Sequence, residues 1–150
     1  MGSFIIKDGD VFDATEPVIV HQVNCMGVMG SGIAKAIKER YPDHYKYYKK
    51  VFRLTDEAHN LLGRYYITTH GDRKIAGVFG QYRYGRDGGL YTNIHALDHG
   101  IRSICSKYSQ IAVPYLIGCG LGGAPEYTVK LLLEEIADSM NVTIVAYKLK

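Results

Sequence analysis

The feature that most constrains the fold is an alternation of short β-branched runs with longer helical stretches. Each run has the length of a buried strand, and the runs lie at 3–7, 17–23, 64–69, 74–80, 110–116 and 142–149. Between them, helical patterns occupy 31–40, 42–52, 91–108 and 125–140. Strands that alternate with helices favour a largely parallel sheet covered on both faces. We therefore predict an α/β fold, a three-layer α/β/α domain around a central mixed, largely parallel sheet.

Composition indicates one domain over residues 1–150, because 150 residues with 47% hydrophobic content can bury a core and no linker divides them. No apolar run approaches the ~20 residues of a membrane helix, and the start "MGSFIIKDGD" lacks a secretory signal pattern. The three cysteines include no C-x-x-C pair, and the His95–His99 pair lacks an acid and a third ligand. A cytoplasmic protein without membrane contact, metal or cofactor is expected.

Lysines alternate with tyrosines in "HYKYYKKVFR", residues 44–53. This mixture suits a nucleic-acid surface, since aromatic rings stack on bases while cations meet phosphates. It also suits an amphipathic helix whose tyrosines pack inward and whose lysines stay in water. The amphipathic helix is the favoured interpretation, and no sequence-specific binding of nucleic acid is expected.

Ligands of parallel sheets bind where strands end and helices begin, so the loops at those points are the candidates for function. The first, "NCMGVMGSGIA" (24–34), has Gly30 and Gly32 directly before a helix. Glycines let the backbone approach a ligand, and the first helical N–H groups lack internal partners, which favours an anion such as phosphate. A glycine turn needed only for packing is the alternative.

The second loop, "IGCGLGG" (117–123), also lies between a strand and a helix. Two such loops in one small domain are suited to two neighbouring phosphates, which points to a diphosphate ligand such as a nucleotide sugar or a dinucleotide fragment. Cys25 and Cys119 lie within the two loops. A small residue in a tight turn is favoured for both over a reactive thiol.

Several polar residues follow the predicted strands. Asn24 offers donors and an acceptor to ribose hydroxyls, or closes a turn. Asp10 accepts from an exocyclic amine such as that of adenine, or caps a turn. A third loop, "GQYRYGRDGGLY" (80–91), combines tyrosines and arginines with glycines that permit motion, or is an ordinary surface loop. His21 is a hydrogen-bonded sheet residue or, because it is near Asn24, part of an active site.

Together, "KDGDVF", "VIVHQVNCMGVMGSGIAKAIKERYP", "LLGRYYI", "IAGVFGQ" and "VPYLIGCGLGG" resemble the macrodomain family, the α/β/α module that binds ADP-ribose. The resemblance covers nearly the whole chain in the right order. It is greatest to the compact branch that includes ADP-ribose 1''-phosphate phosphatases and the terminal ADP-ribose protein glycohydrolases that act on glutamate-linked ADP-ribose. It implies that ADP-ribose, or a macromolecule that carries it, is the partner.

The resemblance also implies roles for particular residues. Asp10, with Val11 beside it, would bind the adenine amine; Asn24 would meet the distal ribose; and Gln81 and Tyr82 would border that ribose. The diphosphate would be wrapped by two segments, Gly30, Ser31, Gly32, Ile33 and Ala34 in the first loop and Gly118, Cys119, Gly120 and Leu121 in the second. Met29, Ile117 and Gly122, at the ends of these segments, are further ligand-binding candidates.

The resemblance implies that the glutamate-specific glycohydrolases use a lysine as covalent nucleophile and an aspartate as general acid/base. This sequence departs from them at both positions. Tyr82 stands at or near the lysine position and Gly122 at the aspartate position. Neither residue forms an imine. The catalytic candidates are therefore Asn24, His21 and Tyr82, with water held between a phosphate and Asn24, or a terminal phosphate removed with help from His21. A reader of ADP-ribose without turnover is the rival hypothesis.

Overall fold

The sheet of the computed structural model has six strands, and the structure describes residues 2–30, 32–85 and 87–149. The strands are β1 (Ser3–Asp8), β2 (Val18–Asn24), β3 (Tyr65–His70), β4 (Arg73–Gln81), β5 (Gln110–Pro114) and β6 (Thr143–Lys148). Their order is β1-β6-β5-β2-β4-β3, and only the β3–β4 pair is antiparallel. The predicted mixed, largely parallel sheet is confirmed.

Within residues 2–30, 32–85 and 87–149, four α-helices cover the sheet. They are α1 (Gly32–Arg40), α2 (Pro42–Arg53), α3 (Ile94–Cys105) and α4 (Glu126–Met140). Two short 3-10 helices, Val11–Asp13 and Ala58–Leu61, were not predicted. None of the α-helices in the described part of the chain is long and apolar enough to cross a bilayer.

The third helix is shorter than the predicted 91–108. The side chain of Asn93 accepts a hydrogen bond from the Ala96 N–H at 3.0 Å, so Asn93 caps the helix and Ile94 begins it. Thr92 is instead bridged to Gln81 at the end of β4. This bridge keeps Thr92 at the edge of the sheet where the candidate site lies.

Helices lie on both faces of the sheet, as the three-layer prediction requires. On one face, α3 and α4 bury Leu97, Ile101 and Leu133 against the central strands. On the other, α2 buries Tyr48 against Phe79. Because β1, β6, β5, β2 and β4 run parallel, their carboxyl ends lie at one edge of the sheet. That edge carries the glycine loops.

Candidate functional site

Two cavities adjoin along the carboxyl edge of the sheet. One, of about 500 Å³, contains Asn24 and is called here the Asn24 cavity. The other, of about 570 Å³, contains Asp10 and is called the Asp10 cavity. Their common wall consists of Gly32, Ile33, Pro114, Tyr115 and Leu116. Since the two cavities share these residues, they form one groove large enough for an elongated ligand.

The second glycine loop presents backbone N–H groups to the Asn24 cavity. Gly118, Gly120, Leu121 and Gly122 line it. None of their N–H groups donates to an acceptor among the described residues, whereas the neighbouring Cys119 N–H donates to Leu116 O at 2.8 Å. Successive unpaired N–H groups in a turn bind anions. This N–H cluster is therefore suited to phosphate.

The first turn of α1 forms the opposite wall of the groove. Gly32, Ile33 and Ala34 line the Asn24 cavity at the start of the helix, where N–H groups have no partner within the helix. Gly32 has a φ of 62°, a backbone conformation that favours glycine. The positive end of a helix thus faces the N–H cluster across the groove.

The Asn24 side chain is held rigidly at the end of β2. Its Oδ1 accepts from the Met26 N–H at 3.0 Å and lies 2.8 Å from the Tyr48 hydroxyl, while its Nδ2 donates to Val28 O at 2.9 Å. The Tyr48 hydroxyl also accepts from the Val28 N–H at 3.1 Å. The second N–H of Asn24 Nδ2 has no partner among the described residues and is available to a ligand in the cavity.

A second set of hydrogen bonds connects the N–H cluster to the strands of the sheet. Gln22 Nε2 donates to Gln81 Oε1 at 2.7 Å and to Thr92 Oγ1 at 2.8 Å, and the Thr92 hydroxyl donates to Gly118 O at 2.7 Å. Gln22 Oε1 is buried and has no partner among the described residues. Gln22 thus connects β2 to both the β4 end and the second glycine loop.

Gly122 has no room for a side chain. A Cβ there would collide with Thr92 Oγ1 and lie 2.7 Å from Gly118 O. The aspartate that the resemblance places at this position in related glycohydrolases is therefore excluded by Thr92 and by the loop backbone in this protein.

Asp10 caps a short helix and also lines the groove, and its contact with an adenine amine stays a prediction. Its Oδ1 accepts from the Phe12 N–H at 2.9 Å and caps the short helix Val11–Asp13. The residue also lines the Asp10 cavity, together with Val11, Phe12 and Arg40. The Arg40 guanidinium lies 4.2 Å from the centre of the Phe12 ring, which gives this cavity an aromatic and cationic wall.

Most of the predicted ligand residues line the groove. Those that line the Asn24 cavity are Asn24, Gly30, Gly32, Ile33, Ala34, Gln81, Ile117, Gly118, Gly120, Leu121 and Gly122, and Asp10 and Val11 line the Asp10 cavity. Met29 is buried in the core beside Tyr48, and Cys119 lines neither cavity. Ser31 lies outside the described residues.

Two of the catalytic candidates, His21 and Tyr82, line neither cavity. The Tyr82 ring is stacked on His59 with 3.8 Å between ring centres and 5° between planes. Tyr84, two residues later, lines the Asn24 cavity instead. Neither loop thiol is a favourable nucleophile, because burial raises the pKa of Cys25 to about 12 and also raises the pKa of Cys119.

His21 belongs to a buried polar cluster on the α2 face of the sheet. Its Nε2 lies 2.9 Å from His44 Nε2, and His44 Nδ1 lies 2.6 Å from the Thr68 hydroxyl. Burial lowers the pKa of His21 to about 3. Burial, followed by repulsion from His21 and His70, lowers the pKa of His44 to about 2. Both imidazoles are neutral at pH 7, so one ring donates to the other.

We expect this histidine pair to make the fold acid-sensitive. Both folded-state pKa values lie below the ordinary 6.5, so the unfolded chain binds the extra protons and stability falls as pH drops below 6.5. Between about pH 7.5 and about pH 5.5 the free energy of unfolding should fall by roughly 2–3 kcal/mol. Urea unfolding at the two pH values measures it. His95→Gln/His99→Gln, on an exposed surface, should keep this dependence, and a flat profile in the wild type would contradict it.

The sequence patterns missed several residues that line the groove. They are Gln22, Val23, Pro114, Tyr115 and Leu116 in the Asn24 cavity and Phe12, Ala36, Arg40, Tyr147, Lys148 and Leu149 in the Asp10 cavity. Val28, Tyr84 and Gly85, which also line the Asn24 cavity, belong to the first and third loops that the sequence had indicated. Leu116 has a φ of 65°, a strained conformation that is frequent at functional sites but leaves no mark in the sequence. A usable signal was present at Phe12, an aromatic residue two positions after Asp10.

Comparison with protein families identifies the class to which this fold and groove belong. The family model described as Macro domain matches residues 20–133, well over half of the chain. The protein is therefore a member of the macrodomain family. No group of three or more His, Cys, Asp or Glu side chains in the described ranges could hold a metal ion.

Individual relatives carry two different names. The DNA ADP-ribosyl glycohydrolase of Thermus aquaticus is 22% identical over 137 residues, which cover 89% of this chain and 37% of that protein. The ADP-ribose 1''-phosphate phosphatase of Aspergillus oryzae is 46% identical over 48 residues, which cover 31% of this chain and 24% of that protein. The matched regions thus span less than half of these curated relatives.

Among solved structures, the macrodomain of Mycobacterium tuberculosis DarG superposes with a TM-score of 0.82. The two chains are 22% identical, and the match covers 99% of this chain and 98% of that one. At this identity the likeness shows the fold.

Proposed function

We propose that this macrodomain, taken as one domain over residues 1–150, binds ADP-ribose along the joined groove. The observation that carries the proposal is an N–H cluster and a helix start facing each other between Asp10 at one end and Asn24 at the other. Adenosine would occupy the Asp10 cavity and the diphosphate would lie at the common wall. The distal ribose would occupy the Asn24 cavity.

The reaction we propose is hydrolysis at the anomeric carbon of the distal ribose. The names of two relatives support it, since one is a phosphatase of ADP-ribose 1''-phosphate and the other a glycohydrolase of ADP-ribosylated DNA. Both reactions cut a bond at the distal sugar, which is where the proposed pose leaves space beside Asn24, Gln81 and Tyr84. A reader of ADP-ribose without turnover is the alternative.

The lining of the Asn24 cavity restricts the mechanism. Among the described residues, its wall contains no Asp, Glu, His, Lys or Arg side chain. No protein group there acts as a strong base, so water would be positioned between the diphosphate and Asn24. A phosphate oxygen of the ligand would take the proton of the water as its oxygen bonds to C1'', and that proton would pass to the departing group as the bond between that group and C1'' breaks. The free Asn24 N–H would orient the distal ribose. Such catalysis depends on positioning and gives modest rates.

Two measurements test the function. Isothermal titration calorimetry should show binding of ADP-ribose in preference to ATP, and failure to bind it would overturn the proposal. Incubation with ADP-ribose 1''-phosphate, ADP-ribosylated DNA and ADP-ribosylated protein, each followed by mass spectrometry, should show release of ADP-ribose from at least one. Binding without cleavage of any of the three would establish the reader instead.

The Asp10→Ser variant tests the adenosine end of the pose. Serine keeps the cap of the short helix but is too short to reach the adenine amine. We expect ADP-ribose to bind about tenfold more weakly to the variant, the loss of about one hydrogen bond to a charged group. Calorimetry with the hypoxanthine analogue, which lacks the amine, is the control, because its affinity should be unchanged by the substitution. Equal losses for both ligands would contradict the contact.

We further propose that the protein acts in the cytoplasm. Its three cysteines are free thiols in the structure, as expected of a protein in a reducing compartment.

A further inference from the structure

Positive charge is concentrated in the first two helices. Seven of the 18 Lys and Arg residues but only two of the 15 Asp and Glu residues fall within 32–53. This stretch therefore carries a net charge of +5, and the other residues together carry −2. The overall charge of +3 is therefore unevenly distributed, with a basic segment in an otherwise slightly acidic protein.

The basic residues of α2 share one side of the helix. Lys46, Lys49, Lys50 and Arg53 are spaced at i, i+3, i+4 and i+7, which aligns them along a single face. We call this set the α2 basic face. Among the described residues, a carboxylate lies within 4.0 Å of only one member, Lys46, whose pair with Asp43 is largely exposed and therefore weak. The face is thus open to an external anion.

The α2 basic face adjoins the proposed ribose end of the groove. Lys49 Nζ donates to Gly27 O at 3.1 Å, and the Phe52 ring packs directly against Gly27. The next residue, Val28, lines the Asn24 cavity. Gly27 thus contacts residues of α2, and the adjacent Val28 lines the groove. The backbone of the first glycine loop therefore separates the groove from the α2 basic face.

An exposed aromatic ring accompanies these charges. Tyr47 is 44% exposed and lies between Lys46 and Lys50 in the sequence of α2. Lysines that meet phosphates, beside an aromatic ring that can stack on a base, form the usual surface for single-stranded nucleic acid. An acidic protein segment would use the lysines but would leave the ring without a planar partner.

We propose that the α2 basic face, with Tyr47, binds single-stranded nucleic acid without regard to sequence. The strand would extend from the distal ribose, which makes it the macromolecule that carries the ADP-ribosyl group; this part of the inference rests on the proposed function. The contact needs no base readout, because lysines meet phosphates and stacking accepts every base.

The test uses the full chain and an unmodified, fluorescein-labelled single-stranded oligonucleotide of mixed sequence. Fluorescence anisotropy at several salt concentrations should show binding that weakens as salt rises. Lys46→Gln/Lys50→Gln should weaken binding about tenfold at low salt and reduce the slope of log Kd against log salt by about 1.4, the loss of two phosphate contacts. Lys74→Gln/Lys107→Gln removes the same charge away from the groove and should change neither value.

Each outcome decides the inference. Absence of oligonucleotide binding, or equal losses in the two double variants, would overturn it, as would polyglutamate competing as well as the oligonucleotide at equal charge. Calorimetry with ADP-ribose is run on the same samples, and both double variants should bind it as the wild type does. Oligonucleotide binding without ADP-ribose binding would overturn the proposed function and leave the surface standing.

Discussion

Gly120→Glu is expected to abolish ADP-ribose binding while leaving the fold intact. Gly120 lies in the N–H cluster and lines the Asn24 cavity, and a Cβ built on it meets no atom within 4 Å. Its φ is not in the left-handed region, so a side chain causes no backbone strain. A carboxylate about 4 Å from a phosphate costs roughly 4 kcal/mol at an effective dielectric constant near 20, which raises Kd about 1000-fold.

Two further substitutions at the same position separate charge from bulk. Gly120→Gln has the shape of glutamate without its charge, and Gly120→Ala adds only a methyl group. Calorimetry should find strong loss for glutamate, a smaller loss for glutamine and near wild-type affinity for alanine, with unchanged melting temperatures throughout. Wild-type affinity in Gly120→Glu would show that the diphosphate does not bind at the N–H cluster.

Asn24→Ala is expected to lower kcat/KM about 100-fold for whichever substrate the wild type cleaves, because it removes an oriented donor at the distal ribose. The variant should also lose about 1–3 kcal/mol of stability, since the Met26 N–H loses its acceptor and Val28 O loses its donor. The Tyr48 hydroxyl keeps the backbone carbonyl of residue 24 as an acceptor. Steady-state kinetics, recorded below the melting temperature of the variant, give the rate effect.

A second substitution deletes the donor and keeps an acceptor. Asn24→Asp keeps an oxygen for the Met26 N–H but places a carboxylate oxygen against Val28 O, so it should lose turnover as the alanine variant does and should also melt below the wild type. Turnover near the wild-type rate in both variants would remove Asn24 from the proposed mechanism. Tyr48→Phe should have an intermediate effect, because it loosens Asn24 without deleting the donor.

The order of strands and helices was predictable because both periodicities are local. All six strands and α2 begin within one residue of the predicted positions, and the helix after the second glycine loop begins at Glu126, next to Pro125. The start of α3 was missed because the predicted helix extended back over Tyr91 and Thr92, which lie before the cap. Asn93, a good capping residue, was the signal that placed the start at Ile94.

Individual site residues were harder to predict, because what matters is which side chain faces the groove. His21 and Asn24 lie on the same strand, yet His21 packs under α2 while Asn24 lines the cavity. Gln22 and Thr92 are 70 residues apart in sequence and meet only because the end of β4 draws Thr92 to the sheet edge. No local pattern carries such information.

The tight packing at Gly122 restricts how residues 92 and 122 can be substituted during the evolution of the family. An aspartate at position 122 requires a smaller residue in place of Thr92 and a displaced Gly118 carbonyl, because both groups occupy the space that its side chain needs. A protein with a smaller residue at position 92 and glycine still at position 122 would lose the hydrogen bond from the Thr92 hydroxyl to Gly118 O, which holds the N–H cluster. It would lose this bond before it acquired a carboxylate. Positions 92 and 122 are therefore expected to change in a fixed order, and single exchanges at Gly122 should be selected against.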